Sequence, residues 1–566
     1  MWEKIFPIIG TLRDYRKENL RGDLGAGLIV AVMLVPQAMA YAMIAGLPPV
    51  MGLYASTLPI LAYILLGSSR HLAVGPVAIV SLLIYEVCSK EAQAGSQEYI
   101  STVLMLTMLV GILQMIAGLL KFGFLANYFS HAVLSGFTSA AAIIICLSQM
   151  KHFLGIQLSN ENSALRLILL IIENLRHTNP ATLAIGVCSV IGLLILRQKY
   201  PKLPGALFFV AAGTVIVYLF KLTDAGVKTV GELPRGLPGF SLPDFDIAKL
   251  SSLFPAALAI VFVGYMESIS IARYIAAKER YKVDADSELR GLGLANIVSS
   301  LFSGYIVTGG FSRTAVNYQA GGRTGLASIV TAAVVVLILI ILTPLFYYLP
   351  NAVLAAVIIV AVVVLIDIKE PIYLFKIKTA DGLTLVLTFL STLLWGVEWG
   401  IIIGAVFSLG LFIRRSAHPY MVQLGYIQRE DVFRNIERYP EAQTYPDILM
   451  FRVDASLYFA NMRFVEDKLR LWIERNSEIK WILVDFSGVN DIDAVAISTL
   501  EDIIKTYGSR GIRFAFCSMK GPVRDLVAKA GWQNKYGESV EYNSLQHALK
   551  WIRNNYSASN SIQMKA

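Results

Sequence analysis

The chain has 566 residues, enough for several ordinary domains, but 56% of them are apolar, only 16% are charged, and the mean hydropathy is +0.60. Those values lie well outside the soluble globular norm and point to a membrane protein. The net charge of +9 does not imply nucleic acid, because the basic residues sit in short loops between apolar runs and form no patch with interleaved aromatics.

Residues 1–23 are charged and show no cleavage site, so the first apolar segment is expected to act as the insertion signal. Residues 24–413 then hold run after run of about 18–22 apolar residues, the length that crosses roughly 30 Å of hydrocarbon. The expected segments are 24–45, 50–67, 75–89, 101–120, 128–150, 181–197 and 204–221. A second set follows at 252–275, 288–303, 310–319, 325–349, 352–367, 380–396 and 398–414. Fourteen segments put both termini on one side, and Lys4, Arg13, Arg16, Lys17 and Arg21 mark it as cytoplasmic. The loops then expected inside carry Arg70, Lys121, Arg197, Lys199, Lys202, Lys278, Arg280, Lys282, Lys369, Lys376 and Lys378, and Arg414 and Arg415 close the last segment. The long outer loop 222–251 instead balances Lys228, Arg235 and Lys249 against Asp224, Glu232, Asp244 and Asp246.

The first segment (VPQAMAYAMIAGLPP) carries Gln37 deep in an apolar helix, with Tyr41 one turn on sharing its face. Gln37 either donates to a substrate or hydrogen-bonds a neighbouring helix. Segments 75–89 and 310–319 are too short to cross as helices, and each is third in its set of seven. Both have the same local grammar, RHLAVGPVAIVSLL and GYIVTGGFSRTAVNY: an extended stretch reaches glycine and a helix then starts in mid-membrane. Pro76 suits a first helical position, and Ser312 suits a cap. Interrupted segments at matching places in two halves are the best sequence pointer to a transporter's substrate site. A repeat of seven segments is odd, so the halves run in opposite directions and the two helix N-termini meet. Their unpaired N–H groups and dipoles favour an anion there. Arg313, in the first turn of the second short helix, adds a permanent charge whose planar fork matches oxyanions.

Glu267, in PAALAIVFVGYMESISIARYI, is the clearest ionisable group within a segment, and an intramembrane carboxylate is by default functional. Two readings stand: a proton switch, in which deprotonated Glu267 competes with substrate for Arg313, or a permanent ion pair between the two. Glu86 reads as an interfacial residue. Cys88, Cys146, Cys188 and Cys517 have no metal or redox spacing and read as small apolar fillers, so neither metal nor cofactor is expected. No Ser/His/Asp set is visible, and an enzyme is not expected.

Residues 447–461 (DILMFRVDASLYFAN), 481–486 (WILVDF) and 513–519 (RFAFCSM) read as strands, and 493–507 and 522–530 as helices. Strands alternating with helices predict a small α/β domain. The expected organisation is a cytoplasmic N-terminal segment (1–23), a transport domain (24–416, repeats about 24–221 and 252–416), a linker (417–440), the α/β domain (441–557) and a tail (558–566).

The stretches PQAMAYAMIAGLPPVMGLYAS (36–56), GSSRHLAVGPVAIVS (67–81), YMESISIARYIA (265–276) and GGFSRTAVNYQAGGRT (309–324) resemble the SulP (SLC26) anion permease family, in a bacterial sulfate-permease-like form. The resemblance runs along almost the whole chain. It implies an α-helical polytopic membrane protein with the inverted seven-plus-seven fold shared with uracil permeases, divided into a core and a gate, and an elevator-like motion. It also implies a pocket lined by Gln37, Tyr41, Phe311, Ser312 and Arg313, with backbone donors at Val77 and Ala78. Glu267 matches the acidic position of proton-coupled sulfate transporters in this family. The C-terminal domain resembles a STAS domain, with VNDIDAVAISTL as its signature loop. Where phosphorylated relatives place serine, this chain has Ala494 and Val495, which argues against phospho-switching there.

Together these readings predict proton-coupled uptake of a small inorganic anion, sulfate foremost, across the cytoplasmic membrane. Sodium-coupled bicarbonate symport, dicarboxylate transport and a passive channel are the alternatives. The expected partners are the anion, protons or sodium, membrane lipid, a second copy in a homodimer, and a cytoplasmic partner of the STAS domain.

Overall fold

A computed structural model describes residues 7–13, 15–124, 130–158, 163–199, 205–234, 236–244, 246–540 and 542–563. Lys4, Lys202 and Arg235 of the charge argument, and the end of the 558–566 tail, lie outside these residues. The chain divides into two compact units, residues 1–408 and 409–566.

The first unit opens with α1 (Pro7–Arg13), α2 (Lys17–Ile44), α3 (Pro49–Tyr54) and α4 (Leu58–Leu66), then a two-residue strand β1 (Val74–Gly75) and α5 (Ala78–Cys88). Next come α6 (Gln97–Leu119), α7 (His131–Leu154), α8 (Ala164–Asn174), α9 (Pro180–Lys199) and α10 (Gly205–Leu219). The second half runs α11 (Ile247–Lys278), α12 (Ala285–Leu301), β2 (Thr308–Gly309), α13 (Phe311–Gln319), α14 (Leu326–Ile341), α15 (Asn351–Val362), α16 (Lys369–Ile377), α17 (Thr379–Trp395) and α18 (Val397–Ala417). Among the described residues, eight helices or helix pairs are long and apolar enough to cross a membrane. Helices occupy the position of every expected segment, including the two short ones. Large apolar side chains such as Phe208, Val215, Ile340 and Leu390 stay exposed, as a surface facing lipid rather than water permits.

The packing respects an exchange of the two halves. The first helix of each half packs on the fourth of the other, α2 on α14 and α11 on α6. Likewise α5 packs on α11 and α13 on α2, while α7 packs on α17 and α15 on α9. Most contacts fall within two groups, α2–α6 with α11–α14 and α7–α10 with α15–α17, which α2 and α5 join. We term these the core group and the gate group, after the division that the family resemblance implies.

Broken helices leave backbone groups that lipid cannot satisfy, so each must be paired from within the protein. The chain does this with short polar side chains, from the opposite half for the first extended stretch and from the same half for the second. Asn317 Nδ2 donates to the His71 carbonyl (2.9 Å), and Thr314 Oγ1 accepts from the Ala73 N–H (3.0 Å). The Gly310 N–H reaches the Ala73 carbonyl (3.1 Å). On the second extended stretch, Ser299 Oγ donates to the Tyr305 carbonyl (2.6 Å), and Asn296 both accepts from the Val307 N–H (2.7 Å) and donates to its carbonyl (3.1 Å). Asn296 also bonds Gln114 on α6 (2.8 Å). Asn296→Ala strands all three partners in a buried place, at about 1–3 kcal/mol per unmet group. Thermal unfolding of the detergent-solubilised protein is therefore expected several degrees lower. An unchanged transition would mean that water replaces the amide.

Two expectations need correction here. Pro76 is not the first residue of α5: Val77 is its cap in extended conformation and the helix starts at Ala78. Ser312 is not a cap either, because Gly310 holds that position and Ser312 is already inside α13. In both cases the extended pairing of β1 with β2 (Val74 opposite Gly309, Gly75 opposite Thr308, antiparallel) sets where the helix can begin.

In the second unit a five-stranded sheet has the order β4-β3-β5-β6-β7, formed by β3 (Met421–Ile427), β4 (Val432–Asn435), β5 (Ile448–Val453), β6 (Trp481–Asp485) and β7 (Arg513–Cys517). The last three run parallel, and β3 is antiparallel to β4 and β5. Residues 417–440, expected as a linker, thus supply the edge strand β4 and its neighbour β3. The strand expected over 447–461 ends at Val453. Period-two alternation feeds two cores: Leu449, Phe451 and Val453 pack with α19 (Met462–Glu474), α20 (Ala494–Gly508), α21 (Gly521–Lys529) and α22 (Trp532–Tyr536). Ile448 and Met450 pack with α23 (Leu545–Gln563) on the other face. Asp493, in the signature loop, caps α20 through the Ala496 N–H (2.7 Å) and also accepts from the Phe459 N–H (3.0 Å). Ala494 and Val495 beside it are exposed.

Candidate anion site

Because β1 and β2 are antiparallel, α5 and α13 leave them in opposite directions with their N-termini adjacent. Neither helix has a side-chain cap, so the N–H groups of their first turns keep their donor capacity. Both ends carry the positive pole of a helix dipole.

Arg313 lies at this junction and is 2% exposed. Its Nη1 donates to the Pro76 carbonyl (2.7 Å), which locks the guanidinium beside Val77 and Ala78. Its Nε and Nη2 have no partner. These two nitrogens form the edge that grips an oxyanion through two parallel hydrogen bonds. A buried cation with two unmet donors is costly, and a bound anion removes that cost.

Gly75 and Gly310 make room for the guanidinium. A Cβ at residue 310 would sit 2.7 Å from Nη2, and one at residue 75 would sit 3.3 Å from it. Gly310→Ala is expected to leave the fold intact but push the fork aside, weakening anion binding about tenfold or more. Titration of sulfate against the purified variant checks this, and wild-type affinity would show that the fork tolerates the shift.

Tyr41 (7% exposed) and Glu267 lie within electrostatic reach of Arg313 and of each other. Oε2 of Glu267 is buried without a hydrogen-bond partner. Among the described residues no ion pair joins Glu267 to Arg313, so the permanent-pair reading does not describe this conformation. Gln37 is buried one turn before Tyr41, and Val77 and Ala78 are buried at the start of α5. Phe311 (54% exposed) and Ser312 are in the first turn of α13 but on its open side.

Sequence reasoning missed several residues that build this junction. Ser268, next to Glu267, donates to the Gly264 carbonyl, accepts from the Gly309 N–H (2.8 Å) and meets Thr308 Oγ1 (2.6 Å), tying α11 to β2. Tyr305, fully buried, is linked to Ser81 of α5 (3.5 Å) and lies within electrostatic reach of Arg313 and Tyr41. The one signal in the sequence was a run of hydroxyl residues beside an acidic one. Glu86 also departs from expectation. It is buried at 3% exposure and accepts from the Val397 N–H (3.0 Å), capping α18 rather than facing an interface. The glycine before it in that turn, Gly396, has φ +95°, and a Cβ there would collide with the Glu86 carboxylate.

The exchange symmetry is incomplete, most plainly around α2. Helix α2 packs against α7, α10 and α15 of the gate group. At the matching place on α11 a cleft lies instead, lined by Val133, Phe137, Phe262, Met266 and Ile401.

Residues 20–388 match the model of the sulfate permease family, and residues 439–546 match the STAS domain. "Probable sulfate transporter 4.2" of Arabidopsis thaliana is 39% identical over 549 residues, 94% of this chain and 80% of that protein. This chain belongs to the sulfate permease family. "Sulfate transporter 4.1, chloroplastic" of the same plant is 37% identical across 95% of the permease and 81% of its own length. The murine Slc26a9 anion transporter, solved in an inward-facing state, aligns with a TM-score of 0.91 at 26% identity, covering 97% of the permease and 94% of the mouse chain. The permease is thus a multi-pass membrane anion transporter carrying a STAS domain, not an enzyme.

Proposed function

We propose that this permease imports sulfate together with protons, binding the anion between the N-termini of α5 and α13 on the free edge of Arg313. The observation that carries the reading is the pair of unpartnered donors, Nε and Nη2, on a buried guanidinium at two uncapped helix starts. The sulfate-transporter names of the plant relatives favour that anion over bicarbonate or a dicarboxylate. Gln37 and Tyr41 contribute side-chain contacts from α2, Val77 and Ala78 contribute backbone donors, and Phe311 and Ser312 border the entrance.

Glu267 is the coupling group in this reading. Deprotonated, its negative charge competes with the substrate for Arg313; protonated, it leaves the fork to a divalent anion. Its partnerless carboxylate supports a switch over a fixed pair. The core then carries anion and proton past the gate. In this reading the basic loops mark the cytoplasmic side, so both termini and the STAS domain are cytoplasmic. The bond from Val397 to Glu86 joins α18 to the core. The STAS domain serves homodimerisation or docking of a cytoplasmic partner, since its loop has no serine at the phospho-position.

Uptake of labelled sulfate into proteoliposomes under an imposed proton gradient, compared with bicarbonate under a sodium gradient, tests the whole reading. Sulfate accumulation driven by protons alone is expected. Accumulation that requires sodium would replace the coupling ion, and dissipative flux without saturation would make the protein a channel.

A further inference from the structure

We infer that the permease holds a second oxyanion site, in the gate group on the membrane face opposite the basic loops. A cavity of about 350 Å³ lies there, lined by Lys151 and His152 at the end of α7, the turn after it, Thr182 near the start of α9, Lys228, and Asn351 at the start of α15. None of these residues belongs to the site at Arg313. At roughly 30 Å³ per water, the cavity holds a tetrahedral oxyanion with part of its hydration shell.

Three observations converge on anion chemistry. First, two basic side chains, Lys151 and Lys228, border the space, both within electrostatic reach of the His152 ring. Among the described residues no carboxylate pairs with either lysine. Lys151 instead lies 6.0 Å over the ring of Tyr85, at the outer end of α5. Second, the Thr182 hydroxyl lines the cavity at 3% exposure with no hydrogen-bond partner, although the residue's N–H is held by Asn179 Oδ1 (3.0 Å). A buried hydroxyl without a partner is costly and marks a missing acceptor. The Asn351 carboxamide oxygen is also unpartnered, and the amide can turn to present its NH2 group. Third, the turn is shaped to leave that hydroxyl free. Gly155 has φ +71°, and a Cβ there would lie 3.2 Å from Thr182 Oγ1.

The site sits beside the C-terminal end of the half-helix α5, where Lys151 lies over Tyr85; in the proposed orientation this is the outer face. There it raises the local anion concentration at the mouth that the outward-facing state would expose. The oxyanion comes either from solution, as sulfate, or from the phosphate of an anionic lipid headgroup; the recognition chemistry is shared.

Equilibrium binding of labelled sulfate to the full-length protein in zwitterionic phosphatidylcholine nanodiscs separates the possibilities. Arg313→Gln is expected to remove one class of binding and leave a second, saturable class. Adding Lys151→Gln and Lys228→Gln should weaken that second class about tenfold or more. Thr182→Val, which keeps every charge, should weaken it several-fold and decides the matter where the lysine variant fails to elute as folded protein. In discs containing phosphatidylglycerol, loss of second-class sulfate binding, with that lipid co-purifying with wild type and not with the lysine variant, assigns the same site to a headgroup phosphate. The inference is overturned if the residual binding ignores all three substitutions. It also falls if Arg313→Gln removes all saturable binding and phosphatidylglycerol does not distinguish wild type from the lysine variant. Loss of only the lysine-dependent class, with Arg313→Gln silent, would instead overturn the central site and leave this one standing.

Discussion

Arg313→Gln is expected to lower sulfate uptake into proteoliposomes at least a hundredfold while the protein still purifies as a folded species. Two charge-assisted hydrogen bonds from one guanidinium edge are worth about 3–6 kcal/mol together, and about 1.4 kcal/mol corresponds to each factor of ten. Glutamine retains some reach toward the Pro76 carbonyl, which otherwise loses its donor. It cannot supply the charge or the two-pronged edge. Arg313→Lys separates those contributions: charge without the fork should restore only part of the uptake. Lysine performing as well as arginine would reduce the argument to charge alone, and wild-type uptake by Arg313→Gln would put the anion somewhere else.

The second large effect is on coupling. In wild type, one unit of inward proton gradient should raise sulfate accumulation up to about tenfold for each coupled proton, since a pH unit is worth about 1.4 kcal/mol. Glu267→Gln mimics the protonated state permanently. The fork at Arg313 is then never contested, so sulfate binding and exchange at equal pH persist, but the gradient no longer drives accumulation. The sign is specific: wild-type binding should strengthen as pH falls and Glu267 takes up a proton, whereas the variant's binding should be flat. Gradient-driven accumulation by Glu267→Gln at the wild-type level would remove Glu267 from the coupling step.

Much of this architecture is legible in the residues because the bilayer allows so few solutions. Apolar run length locates the segments, and Gly-containing interruptions at Gly75 and Gly309–Gly310 locate the half-helices. Arg313 and Glu267 stand out because charges are rare at that depth. Helix starts were misjudged at Pro76 and Ser312 because the register of β1 on β2, a contact between distant stretches, decides them. The polar residues that satisfy the broken backbone were invisible for a related reason. Asn296, Ser268 and Thr314 look like ordinary serines, threonines and asparagines until the fold shows which carbonyl or N–H each one meets. Glu86 was misplaced because a carboxylate near a helix end reads as solvent-facing, whereas here it meets the N-terminus of α18. Strands β3 and β4 were missed because β4 is only four residues long and half-exposed, with no clean alternation of inward and outward residues.

The miniature sheet of β1 and β2 also has a consequence for biosynthesis. Val74 waits for Gly309, 235 positions later (309 − 74), before its backbone can pair. At about 5–20 residues per second, the ribosome needs roughly 12–47 s to supply that partner. For that interval the first extended stretch lacks the strand it pairs with in the finished fold. A chain halted between the two halves would carry all of α2–α10 and still lack the partner that β1 pairs with, so synthesis of the second half commits the first to its final form.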